Sequence, residues 1–321
     1  MTACRKNILV TGVGGDIGQS VLKCLKDTRY GLRLAGCDID PYSAGKSMVP
    51  AFFAGPGAAD GLRYRKFIEK KVREENIGYI IPTTEAEIVF FDASRVIFGK
   101  SAKVFITGSN IIKTCLDKYA TALFLKNAGF LYPKTYLLDE YNGELPFPVL
   151  LKQRRGCGAK GMMVARDNDE ISFYKERLKD IVVQEIIGVA EDEYTMGVFS
   201  TGSDVHSIAF RRRLGYGSLS KYAELVNDKK LERLACDVAR ALSLTGSINI
   251  QLRKTAAGYV PFEINPRFSS TVYLRHFFGF QDVKWWIDME EGHKVTFNPK
   301  YKKGVAVRTI GEVFFNLKRA R

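Results

Sequence analysis

Two fold classes follow one another in this chain: an α/β first third built on a mostly parallel sheet, then an α+β remainder. Two observations predict the first. Single strands and helices alternate, and a Gly-rich turn joins the opening strand to the opening helix. A third observation predicts the second class. Beyond residues 111–118 the strands come in runs, with helices interspersed.

Asn7-Ile-Leu-Val10 reads as a short buried strand. Gly12-Val-Gly-Gly15-Asp-Ile-Gly18 turns the chain into a helix with Ile17, Val21, Leu22 and Leu25 on one face. Residues 32–37 form a second strand ending at Asp38, and 64–76 a charged amphipathic helix. Strands follow at 79–81 and 103–107. A helix from Asp117 to Asn127 stops at Gly129, a residue type that suits a helix C-terminal cap. Strands are expected near 149–152 and 162–165, then a helix at 169–179. Further strands fall at 181–184, 194–199 and 205–210. Residues 229–244 make an amphipathic helix with Leu231, Leu234, Val238 and Leu242 inward. A hairpin comes next, and 269–292 is rich in helix.

The hairpin is the most informative stretch. Gly246-Ser-Ile-Asn249-Ile-Gln251 is answered by Phe262-Glu263-Ile-Asn265-Pro-Arg267, with a turn at 254–258. Side chains alternate faces along a strand. Ile248, Ile250 and Leu252 therefore share one face, and Asn249, Gln251 and Arg253 the other. Likewise Phe262 and Ile264 point one way, Glu263 and Asn265 the other. A carboxylate, several amides and a guanidinium on one face suit Mg²⁺ shared with substrate phosphates. The bland alternative is an ordinary exposed sheet face.

Other segments are weaker signals alone. Gly12, Gly15 and Gly18 could hold a phosphate at a helix N-terminus. Asp38 and Asp40 lie about twenty residues on, where a dinucleotide fold places its ribose acid. The same glycines also serve tight helix–strand packing. Lys152-Gln-Arg-Arg-Gly156-Cys-Gly158-Ala-Lys160-Gly161 puts a lysine at a strand end before a basic glycine loop, whose backbone can approach phosphates. Its plain reading is a flexible basic hairpin. Gln184-Glu185-Ile186-Ile187-Gly188 could pair its backbone with an adenine edge, and Glu193 could reach a ribose. Asp117-Lys118 reads simply as a helix cap beside a solvated lysine.

The 321 residues carry a formal net charge of +14. The cations are scattered apart from Arg211-Arg-Arg213 and the tail Lys318-Arg-Ala-Arg321, and no nucleic-acid-binding signature accompanies them. Solvated surface plus phosphate binding is favoured over nucleic acid. The six cysteines lack zinc spacing, no signal peptide is visible, and no apolar run is long enough to span a membrane. A cytoplasmic protein with reduced thiols is expected.

Taken in order, these segments resemble the ATP-grasp superfamily, with the single modules related to the carbamoyl-phosphate synthase large subunit most alike. The resemblance rests on Thr11–Gly18, Ile81-Pro-Thr-Thr-Glu85-Ala-Glu87, Asp117-Lys118, the 152–161 loop, Gln184–Gly188 with Glu193, Asn249-Ile-Gln251 and Glu263–Arg267. It implies a Rossmann-like pre-ATP-grasp domain over 1–112, followed by a two-subdomain ATP-grasp fold over 113–187 and 188–321. It implies that Lys118 and Lys152 contact ATP phosphates, covered by the loop with Gly156, Gly158, Lys160 and Gly161. Glu185, Ile186 and Ile187 would hold adenine and Glu193 the ribose. Gln251, Glu263 and Asn265 would hold Mg²⁺ or Mn²⁺, and Arg267 would face the transferred phosphoryl group. Many members carry a carboxylate where this chain has Gln251, although the synthase-like branch also uses glutamine. The chain is too short for the synthase's duplicated halves.

The implied activity is ATP-dependent ligation of a small-molecule carboxylate and an amine through an acyl phosphate. Arg211, Arg213 and Arg275 are candidates for holding the acceptor carboxylate. Two alternatives stay open. A nicotinamide-dependent oxidoreductase would use the N-terminal glycines, but the Tyr42–Lys46 spacing falls too early for its catalytic pair. A non-catalytic basic binding protein is the other. Oligomeric state is open as well, because Phe277, Phe278, Phe280, Trp285 and Trp286 could be core or a dimer face, with core favoured.

Overall fold

The computed structural model describes residues 7–28, 32–156, 161–215, 217 and 219–315. The chain divides into two compact units. The first takes the chain up to Ile106, Ser270–Lys300 and the segment from Val307; the second takes Thr107–Ser269 and Tyr301–Ala306.

The first unit opens with β1 (Asn7–Thr11), α1 (Asp16–Asp27), β2 (Leu34–Asp38) and β3 (Ala51–Ala54). It continues through α2 (Gly61–Glu74), β4 (Ile77–Ile81), α3 (Glu85–Ala93), α4 (Arg95–Phe98) and β5 (Lys103–Val104). The sheet runs β3-β2-β1-β4-β5 and every pair is parallel. Its central strands are apolar on both faces, as a helix-covered parallel sheet requires. Between β1 and α1, Gly12 takes φ +63°, a value that favours glycine. A Cβ on Gly18 would sit 2.4 Å from the Gly12 carbonyl oxygen, so the helix can approach the turn only at a glycine.

The second unit begins with α5 (Ser109–Cys115) and α6 (Lys118–Asn127). Then come β6 (Thr135–Leu137), β7 (Val149–Gln153), β8 (Met163–Ala165), α7 (Asn168–Arg177) and β9 (Ile181–Glu185). These strands form an antiparallel sheet in the order β6-β9-β7-β8. Val149, Leu151, Val183 and Ile171 pack beneath it. β10 (Glu193–Ser200), β11 (Val205–Leu214), β12 (Ser220–Val226), α8 (Lys229–Ala241), β13 (Gly246–Thr255) and β14 (Gly258–Asn265) follow. The chain returns to the first unit as α9 (Val272–Phe277) and α10 (Asp282–Glu290), and β15 (Val305–Val307) comes last.

The larger sheet is ordered β14-β13-β10-β11-β12-β15. One face buries Tyr194, Met196, Val198, Ile248, Ile250, Leu252 and Ile264 against Leu231, Ala235 and Val238 of α8. Helices here start at acidic caps: Asp117, Asp167 and Asp228 each accept a backbone N–H in the first turn.

Three expectations need adjustment. The sequence reading kept 188–321 together, whereas α9 and α10 pack with the first unit. The Cys24 thiol meets the Val272 carbonyl at 3.7 Å, and Phe105 stacks on Trp286 at 5.4 Å between centroids. The strand expected at 103–107 is only two residues long. Arg275 does not hold an acceptor. It is fully buried and ion-paired with Asp282, with Nε 3.1 Å from Oδ1. Phe278, Phe280, Trp285 and Trp286 are core, while Phe277 is exposed.

Removing one partner of a buried ion pair strands the other, at a cost of about 3–5 kcal/mol. Asp282→Ala should therefore lower the melting temperature sharply. The joint change Arg275→Met with Asp282→Leu should recover much of that loss in the same thermal scan.

Candidate active site

The site lies within the second unit, on the sheet face opposite the α8 core. Alternation decides its membership. With Tyr194, Met196 and Val198 committed to the core, Glu193, Thr195 and Gly197 must face the other way. β13 pairs antiparallel with β10, placing Gln251 opposite Thr195 and Asn249 opposite Gly197. β14 in turn sets Glu263 opposite Gln251 and Asn265 opposite Asn249. The three residues expected to ligate a metal thus come from cross-strand neighbours. The Asn265 amide donates to Glu263 Oε1 at 2.9 Å. Asn249 Oδ1 accepts from the Thr195 hydroxyl at 2.9 Å. Its Nδ2 is buried and has no acceptor among the described residues, which leaves a donor for a ligand or water oxygen.

Phe262 departs from the expected alternation. The register slips between Gln251 and Leu252, so Pro261 faces Leu252 and Phe262 is the extra residue of a bulge. Its ring lies 5.3 Å from the Lys152 ammonium and 5.8 Å from the Arg253 guanidinium. It packs against cations rather than following Ile264 into the core.

Lys152, one residue before the end of β7, sits on a buried chain of polar contacts. Its Nζ donates to Gln184 Oε1 at 2.8 Å, and Gln184 Nε2 donates to Thr135 Oγ1 at 2.9 Å. Burial pushes its ammonium down to about 8; Lys118 and Arg253 push the same way, while Glu263 and Glu193 oppose them. A cation held this reluctantly is suited to a site that receives phosphate. Lys118 donates from Nζ to the Gly156 carbonyl at 2.7 Å, so it sits at the mouth of the glycine loop. Asp117 caps α6 as expected, and its Oδ2 also pairs with Arg154 at 2.8 Å. Gly156 and Gly161 both have positive φ. Gly158 and Lys160 lie outside the described residues.

Glu185 closes β9 and accepts the Lys134 N–H at 3.1 Å. Ile186 is exposed, and the Ile187 carbonyl accepts from Arg253 at 3.1 Å. Glu193 is engaged on both of its carboxylate oxygens. Arg212 reaches its Oε1 at 3.0 and 2.7 Å, and Arg253 its Oε2 at 3.3 and 3.2 Å. A carboxylate offers about four acceptor positions. A ribose at Glu193 has to share them with two guanidinium groups. Arg212 also donates to Gln251 Oε1 at 2.9 Å. Arg267 is half-buried and donates to the Phe268 carbonyl at 3.2 Å.

Arg212 is the residue that sequence reasoning missed. Its neighbours Arg211 and Arg213, the expected candidates, are otherwise engaged: Arg211 is exposed and bound to Asp192, and Arg213 lies over Tyr222. Period-two alternation separates Arg212 from Arg211 and Arg213, and the pairing of β10 with β11 then sets it on the same face as Glu193.

The first unit's glycine turn is closed on itself. Asp38 Oδ2 accepts the N–H of Gly14 in that turn at 2.7 Å, so the expected ribose acid is already bonded to the turn itself. Glu87 is buried and structural. It accepts from Tyr64, Thr83 and Thr84, completing a capping box with Thr84, and burial raises its carboxyl.

Residues 177–313 match the family described as ATP-grasp in the biosynthetic pathway with Ter operon. The carbamoyl phosphate synthase large chain of Campylobacter jejuni is 23% identical over 53% of this chain and 18% of its own length. An uncharacterized protein of Mycoplasma genitalium is 26% identical over 38% of this chain and 44% of its own. The chain thus spans less than half of either relative. Among solved structures, N5-carboxyaminoimidazole ribonucleotide synthetase from Thermus thermophilus superposes with a TM-score of 0.75, at 16% identity, over 95% of this chain and 84% of that one. The biotin carboxylase domain of Hydrogenobacter thermophilus 2-oxoglutarate carboxylase gives 0.72, at 17% identity, over 92% and 71%. The fold is that of the ATP-grasp ligases, and the resemblance read from the motifs is borne out.

Two outcomes follow from the site's electrostatics. Arg212→Met leaves Glu193 with Arg253 as its remaining cation and should cost less than the about 3–5 kcal/mol of a fully stranded charge in denaturant melts. The Lys152 value should appear in NMR of ¹³C-methylated lysines as one resonance titrating at about 8, absent from Lys152→Arg. Its ordinary value is 10.5, so between about 8 and 10.5 the unfolded chain holds the extra proton. Across that window Lys152 adds stability as pH rises. Below it, the cost of a desolvated charge is fully present.

Proposed function

We propose that this chain is an ATP-dependent ligase joining a small-molecule carboxylate to an amine, or a related nucleophile, through an acyl phosphate. The observation that carries the proposal is the single polar face on which Gln251, Glu263 and Asn265 meet at paired registers, with Lys152 buried beside Phe262 of the same hairpin. The ATP-grasp fold and the ligases and carboxylases among its neighbours support it.

The donor set fits Mg²⁺ or Mn²⁺ brought in with a nucleotide. It holds one carboxylate and two amides, all hard oxygen donors. No group of three or more His, Cys, Asp or Glu side chains that could cage a metal occurs among the described residues. The remaining coordination would fall to phosphate oxygens and water. Gln251, Glu263 and Asn265 would hold the ion, which neutralises phosphate charge when bound.

The chain's own groups then have separate tasks. Backbone at Glu185–Ile187 would take the adenine edge, and Glu193 with its two arginines would meet the ribose. Lys118 and Lys152 would neutralise phosphate oxygens, and Arg267 would face the group in transfer. An oxygen of the substrate carboxylate bonds to the γ-phosphorus as the bond to the ADP oxygen breaks. The amine nitrogen then bonds to the acyl carbon, the carbon–oxygen bond to phosphate breaks, and the amine releases a proton. Neither step needs a protein nucleophile.

Thermal unfolding should shift upward with Mg-ATP, less with ATP plus chelator, and not with NADPH. A ligand at 100 times its Kd adds about 2.7 kcal/mol. Glu263→Gln should keep the fold and lose ADP release; undiminished ADP release would sink the metal assignment. Phosphate binding favours the charged form of Lys152, so nucleotide affinity should fall as pH rises through about 8. Calorimetric titrations at pH 7 and pH 9 measure that fall, and equal affinities would remove Lys152 from the phosphate site.

A further inference from the structure

We infer that this site loads one divalent cation with its nucleotide, because Arg212 already supplies the positive charge that a second cation would bring. The inference rests on the ligase proposal and concerns what Arg212 does to the metal count at that site. Arg212 is 6% exposed and held along one edge of its guanidinium. Nε and one terminal nitrogen hold Glu193, and that same nitrogen reaches Gln251 Oε1 at 2.9 Å. The oxygen that a metal would use at position 251 is therefore turned toward a permanent cation. An arginine cannot shed its proton to accommodate a neighbouring charge, as Lys152 can.

The count of anionic groups points the same way. Two divalent ions side by side need carboxylates to separate and bridge them. Glu193 is committed to Arg212 and Arg253 and contributes no net negative charge. That leaves Glu263, joined to Asn265 by a hydrogen bond and set opposite a neutral Gln251. Lys152, whose ammonium lies 5.3 Å from the ring of Phe262 next to Glu263 in β14, adds further positive charge. One ion held among Gln251, Glu263, Asn265 and phosphate oxygens, with Glu263 its one protein carboxylate, balances such a site. A second would meet a guanidinium where other sites offer a carboxylate.

Equilibrium dialysis with Mn²⁺ and the β,γ-imido analogue of ATP tests the inference without turnover. Wild-type protein should retain one Mn²⁺ per bound nucleotide. Gln251→Glu should still retain one, because Arg212 pairs with the new carboxylate. Gln251→Glu combined with Arg212→Met should gain a second Mn²⁺, bound at least tenfold more tightly than any second ion in wild type. Two Mn²⁺ per nucleotide in wild type, or in Gln251→Glu alone, overturns the inference and leaves the ligase proposal standing. No retained nucleotide at all overturns both. Where the combined variant fails to fold, the wild-type and Gln251→Glu counts decide the matter.

Discussion

Burial of one face of the six-stranded sheet is the constraint on which the rest depends. Ile248, Ile250, Leu252 and Ile264 can leave water only by packing against α8, α5 and α6. Because strand side chains alternate, that packing sends Asn249, Gln251, Glu193 and Arg212 to the opposite face. A slip of one residue would exchange the two sets. The hydrophobic effect thereby positions the polar groups, although it acts on none of them directly. The bulge at Phe262 interrupts the rule once and turns an aromatic ring toward two cations.

The second theme is charge held out of water. Lys152, Glu193 and Arg212 are all buried, and each is paired or hydrogen-bonded. Such groups are costly to desolvate and weak as sources of stability. Their arrangement makes better sense as preorganisation: fixed dipoles and charges stabilise developing charge without reorganising at the moment of reaction. Glu193 links β10, β11 and β13 through its two arginines, and Arg253 extends the link to the Ile187 carbonyl. The backbone that would meet adenine and the strand that would meet a metal are thus tied by one residue.

Much of the fold was legible because its signals are local. Gly12 to Gly18 announced a strand–turn–helix, and the spacing of Leu231, Leu234 and Val238 announced α8. Short edge elements were not legible: β3 spans four residues and β6 three, too few for any period to show. The hairpin face was read correctly for Gln251, Glu263 and Asn265 because alternation alone places them. Phe262 was misread because a bulge depends on how β14 meets β13, and one strand's sequence carries no record of its partner's register. Arg275 looked like a candidate ligand holder because a lone arginine in sequence does not reveal Asp282 pairing with it in the interior of the first unit.

The sequence by itself determined the order of elements, the apolar and polar faces of the hairpin, and which residue types could meet phosphate and metal. These follow from periodicity, glycine placement and side-chain chemistry, all properties of neighbours along the chain. Only the tertiary structure decided that Arg212, rather than Arg211 or Arg213, stands beside Glu193 and Gln251. It also decided that Lys152 is buried deeply enough to weaken its hold on a proton, and that α9 and α10 belong to the first unit. Those outcomes depend on strand pairing and burial between segments far apart in sequence, where desolvation and cross-strand contact arise only once the chain has folded.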